Sequence, residues 1–206
     1  KTSGDEIIPN QITDSIIINS LGFRGPEFSE IKPPTIYRIF MLGGSTMFGT
    51  GATSNETTIP GYLQQFLDEK DFGFDVEVIN SGIQGADSNT EVNLIEQKLA
   101  KFSPDLVIIY DGWNDLRDNN LASELKENWE LMCKIGKEND FDVIISLQPI
   151  AGFGNKALTE QELEYAQNGI DYKKNPLTES FSIYQDYAKD LEEIKTCANT
   201  IDLRGI

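Results

Sequence analysis

Residues 36–46 have the sequence IYRIFMLGGST and give the strongest indication of the architecture of the chain. Its first seven residues, Ile36–Leu42, are mostly apolar and rich in residues that favour β-strands. Two glycines and a serine follow directly, as is typical of a tight turn. We therefore predict a buried strand over Tyr37–Leu42 that delivers Ser45 into the turn after it.

Strands and helices alternate after this stretch. Further strands are predicted at Val76–Asn80, Leu106–Tyr110 and Val143–Leu147. Helical spacing of apolar residues predicts helices at Ile59–Glu69, Asn89–Phe102, Leu121–Glu138, Thr159–Gln167 and Phe181–Ala198. This alternation predicts an α/β fold in which helices cover a parallel sheet. Residues 1–35 are predicted to be an irregular N-terminal extension, and residues 36–206 a single α/β domain.

The charge of the chain excludes several partners. The formal net charge is −17, from 34 acidic and 17 basic residues. Such a chain repels nucleic acid and anionic membrane surfaces. No apolar run reaches the roughly 18 residues of a membrane helix. We expect no nucleic-acid partner and no membrane contact by this domain.

The chain starts at Lys1 instead of Met, so we expect an upstream signal or anchor and an extracytoplasmic location. The sequence does not indicate an oligomeric state.

Two cysteines, Cys133 and Cys197, fall in the late predicted helices. They are either two buried thiols, which behave as small apolar residues, or a disulfide. A disulfide closing a loop of this length would stabilise the fold by about 4 kcal/mol. The sequence leaves both alternatives open.

Small polar residues and glycines follow each of the first three strands. The first strand is followed by Gly43-Gly44-Ser45, the second by the loop 80–88 with the sequence NSGIQGADS, and the third by the segment 111–115 with the sequence DGWND. Ligands of open parallel sheets bind beyond the carboxyl ends of the strands, so these segments mark the expected site. The chain contains no histidine, which excludes imidazole metal sites and Ser-His pairs within these residues.

Several other side chains near this edge are given structural roles. Ser88 is predicted to cap the helix that follows it, with Glu91 at the capping-box position. Asp111, Asp115 and Asp118 are interpreted as solvated charges or charges at a helix start. Trp113 could stack on a sugar ring or pack as an ordinary aromatic. The long connection Gln148–Thr178 is expected to shape a substrate pocket.

In order, spacing and placement after strands, these segments resemble the conserved blocks of the SGNH (GDSL-type) hydrolase family over roughly Leu21–Leu147. The segment 42–46 resembles the block that carries the nucleophile, with Gly-Gly-Ser in place of the usual Gly-Asp-Ser. The segment Val78–Ser88 resembles the second block, and the segment 112–115 resembles the third. The resemblance implies a flavodoxin-like three-layer sandwich with sheet order 2-1-3-4 and a fifth strand beyond Ile206.

The resemblance also implies a function. Ser45 would attack an ester carbonyl, while the backbone N–H groups of Ser45 and Gly85 and the Asn114 amide would bind the oxyanion. The expected activity is serine ester hydrolysis through an acyl-enzyme, without a metal or organic cofactor. The substrate would be a small-molecule or glycan ester, such as an O-acetylated carbohydrate or a small acyl ester. The alternatives are a non-catalytic glycan- or acyl-binding domain of the same fold, and an SGNH acyltransferase.

One family block is missing from the sequence. The family's last block, Asp-x-x-His, supplies the base, and serine at its free pKa is a weak nucleophile without one. We expect this block beyond Ile206, so that the domain is C-terminally incomplete and the 206-residue chain is inactive as it stands. The alternative is a natural pseudoenzyme.

Overall fold

The computed structural model of the chain describes residues 2–3, 6–118, 120–168 and 177–205. Two short antiparallel hairpins come first. Strand β1 (Thr2–Ser3) pairs with β2 (Glu6–Ile7), and β3 (Gln11–Ile12) pairs with β4 (Ile17–Ile18). The extension predicted to be irregular therefore contains short strand pairs.

The central sheet of the described residues has five strands: β5 (Ile36–Gly43), β6 (Asp75–Asn80), β7 (Leu106–Asp111), β8 (Asp142–Leu147) and β9 (Asn199–Asp202). Their order is β6-β5-β7-β8-β9, and every neighbouring pair is parallel. Numbered along the domain, this order is 2-1-3-4-5. The α/β fold and the predicted order of the first four strands are confirmed.

The position of the fifth strand was predicted wrongly. It lies inside the chain at Asn199–Asp202, parallel to β8, and not beyond Ile206. Its sequence, Asn-Thr-Ile-Asp, lacks an apolar run, because the strand lies at the edge of the sheet and its residues are mostly exposed. A pattern of buried strands cannot identify such a strand.

The described residues form seven α-helices: α1 (Ser45–Phe48), α2 (Ile59–Asp68), α3 (Ser88–Leu94), α4 (Trp113–Asp118), α5 (Ala122–Glu138), α6 (Glu160–Asn168) and α7 (Leu177–Glu193). After α3 the chain continues through a π-helical turn and a 3₁₀ turn to Phe102. The helix predicted at Phe181–Ala198 begins and ends earlier than expected. The short helices α1 and α4 were not predicted, because each follows its strand within two residues.

Both faces of the sheet are covered, as the three-layer prediction requires. Along β5, the side chains of Phe40 and Leu42 belong to the larger core. The alternate side chains of Ile39 and Met41 lie in a smaller core, against Leu63 and other residues. This alternation follows from the two-residue period of a strand.

The N-terminal extension packs into the larger core. Ile7, Ile18 and Phe23 are all buried there, and the ring of Phe23 lies 5.5 Å from that of Phe40. Single backbone bridges pair Arg24 with Ile18 on one side and with Asn80 on the other. The extension is thus tied to the end of β6, beside the expected site.

The two cysteines form a disulfide, which decides between the two alternatives left by the sequence. It joins Cys133 of α5 to Cys197 in the connection between α7 and β9, with a Cα–Cα distance of 4.9 Å and 64 residues of separation. The bridge fixes the connection that leads into the edge strand. Among the described residues, no helix is long and apolar enough to cross a bilayer.

Candidate active site

Ser45 is the first residue of α1, directly after β5, and its side chain is half-buried. The residue before it must be glycine for steric reasons, because a Cβ atom at Gly44 would overlap with Nδ2 of Asn114. The absence of a side chain at Gly44 therefore allows the Ser45 turn to lie directly against the Asn114 amide. As the first residue of a helix, Ser45 has a backbone N–H without an intrahelical partner.

Asn114 lies in α4 and is 6% exposed. Its Nδ2 donates a hydrogen bond to the carbonyl oxygen of Ala86 at 2.5 Å. Ala86 directly follows Gly85 in the chain. A side-chain amide carries two N–H donors, so one hydrogen remains for another acceptor. Asn114 thus contacts the first predicted block at Gly44 and the second at Ala86.

Gly85 lies in the exposed part of the loop 80–88, with a φ of +85°. The loop is bonded to the Ser45 turn at two places. The Ile83 N–H donates to the Gly43 carbonyl at 2.9 Å, and Gln84 Nε2 donates to Thr50 Oγ1 at 2.7 Å. The structure therefore brings the three predicted blocks together at the carboxyl end of the sheet.

Two aspartates interpreted as solvated are in fact buried beneath this site. Asp111 accepts hydrogen bonds from the Gly112 N–H at 2.6 Å and from Trp129 Nε1 at 3.1 Å. Asp115 is fully buried and accepts from the N–H and hydroxyl of Ser88 and from the Asn120 amide. These bonds fix both ends of the segment that holds Asn114. This role was not predicted from the sequence, since carboxylates after a strand are usually exposed.

The predicted capping residue is also corrected. The N-cap of α3 is Asp87, whose carboxylate accepts from the Thr90 N–H at 3.0 Å, and Ser88 bonds to Asp115 instead. Glu91 does not complete a capping box. It is 1% exposed, and among the described residues neither of its carboxylate oxygens has a hydrogen-bond partner.

Two of the buried carboxyl groups, those of Glu91 and Asp111, favour their protonated forms. Burial, and then the nearby charges of Asp111, Asp115 and Asp87, raise the pKa of Glu91 well above its ordinary value. Burial and the neighbouring Asp115 likewise raise the pKa of Asp111. The two carboxyl groups hold their protons to a higher pH in the folded protein than in the unfolded chain. Their protonation therefore stabilises the fold fully at pH values below the pKa of the unfolded chain, and this stabilisation is lost as the pH rises through the pKa of the folded protein.

We expect Glu91→Gln to raise the free energy of unfolding at pH 8, by on the order of 1–3 kcal/mol. The amide stays neutral when it is buried, whereas the buried carboxyl must either carry a charge or take up a proton at this pH. The gain over the original chain should shrink towards pH 4, where Glu91 is protonated in both states. Urea unfolding at several pH values measures it. The matched control is Glu96→Gln, an exposed residue one turn further along the same segment. An equal pH dependence for the original chain and Glu91→Gln would contradict the expectation.

Trp113 contacts the larger core and is half-buried, which favours the packing role over a stacking platform.

The connection Gln148–Thr178 contains α6, but residues 169–176 lie outside the described residues, so its role in a pocket stays a prediction. The described parts of the chain hold no group of three or more metal-ligating side chains.

A model of the GDSL-like lipase/acylhydrolase family matches residues 41–171, which span all three blocks. The chain belongs to this family. The match confirms the resemblance to SGNH (GDSL-type) hydrolases and, with it, the broad assignment to esterases and acylhydrolases. No curated protein matches the chain significantly.

Solved structures of several esterases share the fold at low sequence identity. The psychrotrophic esterase EstA from Pseudoalteromonas sp. has a TM-score of 0.55 and 16% identity, over 81% of this chain and 77% of EstA. AlinE4, an SGNH-hydrolase family esterase, has a TM-score of 0.56 and 16% identity, over 78% and 71% of the two chains. The acetyl xylan esterase AlAXEase has a TM-score of 0.54 and 17% identity, over 81% and 77%. These similarities show the common fold.

Proposed function

We propose that this protein is a serine ester hydrolase in which Ser45 forms an acyl-enzyme. The observation that carries the proposal is the meeting of three chain turns around Ser45. The Asn114 amide lies against the Ser45 turn at Gly44 and bonds to Ala86, beside Gly85. A nucleophile and several hydrogen-bond donors in one place are what acyl transfer requires.

In the proposed first step, Ser45 Oγ attacks the ester carbonyl carbon, and the carbonyl oxygen becomes an oxyanion. The N–H groups of Ser45 and Gly85 and the free hydrogen of Asn114 Nδ2 donate to it. The oxyanion then re-forms the carbonyl, and the C–O bond to the alcohol breaks. The alcohol leaves with the proton that the base took from Ser45, and the acyl group stays on Ser45. In the second step water gives a proton to the same base and attacks the acyl-enzyme, which releases the acid and returns the proton to Ser45 Oγ.

The base that takes the Ser45 proton is not a histidine of this chain, which has none. The buried Asp111 and Asp115 already accept hydrogen bonds from Gly112, Trp129, Ser88 and Asn120. We propose that an Asp-x-x-His segment beyond Ile206 supplies it, and that residues 1–206 alone turn over slowly. Loss of general base catalysis costs typically about 10²–10⁴-fold.

The substrate class we propose is an O-acetylated carbohydrate or another small acyl ester, because one neighbour of the same fold is named an acetyl xylan esterase. We propose that nucleic acid is not a partner, because the net charge of −17 repels it. We also propose an extracytoplasmic location. The Cys133–Cys197 disulfide supports this location, since disulfides persist in oxidising compartments. Alkylation of intact cells before lysis should leave both cysteines unmodified.

Hydrolysis of 4-nitrophenyl acetate and of acetylated xylo-oligosaccharide tests the proposal. We expect turnover by the full gene product, slow turnover by residues 1–206, and partial rescue of residues 1–206 by imidazole. Saturable binding of the acetylated sugar without turnover by the folded gene product would instead favour the binding-domain alternative. Acyl transfer to an added alcohol in preference to water would favour the acyltransferase.

Asn114→Ala removes one proposed oxyanion donor. We expect kcat to fall by about 10²–10³-fold with little change in KM, because the donor acts mainly on the transition state. Asn128→Ala is the matched control: this amide bonds to Ser88 and Asn89 in the same network, but not to the Ser45 turn. Equal kcat values for the two variants would contradict the role of Asn114.

A further inference from the structure

Arg24, in the N-terminal extension, is buried and uses its whole guanidinium group in hydrogen bonds. Nη1 donates to the carbonyls of Phe48 and Gly49, each at 2.9 Å. Nη2 donates to the carbonyls of Ser15 and Ser54, and Nε to Oδ1 of Asn55. The five N–H groups of an arginine are thus all matched by acceptors. Two of these acceptors, the carbonyls of Phe48 and Gly49, lie at the end of helix α1, which begins at Ser45.

The helix α1 needs such outside support. It has only four residues, and a single helical turn is not stable by itself in water. Its last carbonyls have no partner within the helix. Arg24 supplies donors to them, and Asn80 Nδ2 donates to the Phe48 carbonyl as well, at 3.2 Å.

Gly49 makes this arrangement possible. It ends α1 in the left-handed conformation, with a φ of +89°. A Cβ atom there would lie 3.1 Å from Arg24 Nη1 and would overlap with the Thr58 side chain. Glycine at residue 49 therefore satisfies the left-handed backbone, avoids the Thr58 side chain and leaves room for the guanidinium of Arg24 at the end of the turn.

We propose that Arg24 is a positioning residue: by hydrogen-bonding the carbonyls that end α1, it holds Ser45 in register with the oxyanion donors. Through Arg24, the N-terminal extension then helps to set the geometry of the active site. The catalytic part of this inference rests on the proposed ester hydrolysis, whereas the effect on α1 itself does not.

The structure offers a matched control in Arg38. It is also fully buried, and it also donates to backbone carbonyls, those of Ser29 and Phe102, and pairs with Glu77. It lies near the start of β5, however, at the opposite end of the strand from Ser45. Arg38→Lys should therefore cost stability without moving the nucleophile.

The experiment compares Arg24→Lys and Arg38→Lys in the full gene product by amide hydrogen exchange and by ester hydrolysis. We expect Arg24→Lys to speed exchange of the Phe48, Gly49 and Thr50 amides at least about 10-fold, since local opening sets their exchange. We expect kcat to fall about 10–100-fold, because small misplacements of reacting groups are costly, with KM nearly unchanged. Arg38→Lys should leave both readouts as in the original protein.

The results separate the two proposals. Unchanged exchange at residues 48–50 in Arg24→Lys, or equal losses of kcat in both variants, would overturn the positioning role. If the original protein hydrolyses no ester, the proposed function fails, and the exchange data alone decide about Arg24. If Arg24→Lys does not fold, Asn55→Ala is the second variant. It removes the acceptor of Arg24 Nε and of the Ile17 N–H, but it leaves the arginine in place. It should increase exchange at the same three amides, and no increase would overturn the inference.

Discussion

Ser45→Ala is expected to reduce kcat for 4-nitrophenyl acetate by about 10⁴–10⁶-fold in the full gene product, the loss typical of removing the nucleophile of a serine hydrolase. The physical reason is that no acyl-enzyme can form without the Oγ atom, while the oxyanion donors at Gly85 and Asn114 stay in place. Steady-state hydrolysis with purified protein measures the loss.

The neighbouring Thr46→Ala is the control for this experiment, since Thr46 lies in the same helix with an exposed side chain. It should keep kcat within about twofold, as surface substitutions usually have small effects. The thermal midpoints of both variants should match that of the original protein. Turnover by Ser45→Ala at a rate near that of Thr46→Ala would exclude Ser45 as the nucleophile.

Loss of the disulfide is expected to have the largest effect on stability. Replacing both Cys133 and Cys197 by serine should lower the free energy of unfolding by about 4 kcal/mol, because the bridge closes a loop with a separation of 64 residues and restricts the unfolded chain. For a domain of this size the thermal midpoint should fall by roughly 10 °C. Urea unfolding and calorimetry measure the two quantities.

Reduction with dithiothreitol serves as the control for the substitution itself. The reduced original protein should lose nearly as much stability as the double variant, and the variant should not respond to the reductant. A double variant as stable as the oxidised protein would show that the bridge does not stabilise the fold. Catalysis should survive at low temperature, because Ala198, next to Cys197, bonds to Val143 at the start of β8, whereas Ser45 follows the opposite, carboxyl end of β5.

The central strands and the site blocks could be predicted from the sequence because they combine two strong local signals. Each of the strands β5, β7 and β8 is a short apolar run, and β5 and β7 end in glycine and small polar residues. Parallel strands place their carboxyl ends at one edge, so Ser45 and Asn114 had to come close together once the strand order was known. The family resemblance added the order and the roles.

The parts that could not be predicted depend on contacts between distant segments. The edge strand β9 has no apolar run, and its place is set by pairing with β8 and by the Cys197 bridge. Arg24 gave no local signal, because its acceptors come from residues 15, 48, 49, 54 and 55. Asp111 was interpreted as a surface charge, because its hydrogen-bond partner Trp129 Nε1 lies 18 residues further along the chain.

A crystal structure of the full gene product after reaction with a fluorophosphonate decides whether Ser45 is the nucleophile. We expect a phosphorus–oxygen bond to Ser45 Oγ. One phosphonyl oxygen should lie about 2.7–3.1 Å from both Gly85 N and Asn114 Nδ2, the distance expected for oxyanion donors. A phosphonate on another residue would exclude Ser45 as the nucleophile, and a phosphonyl oxygen out of hydrogen-bond reach of both donors would exclude the proposed oxyanion site.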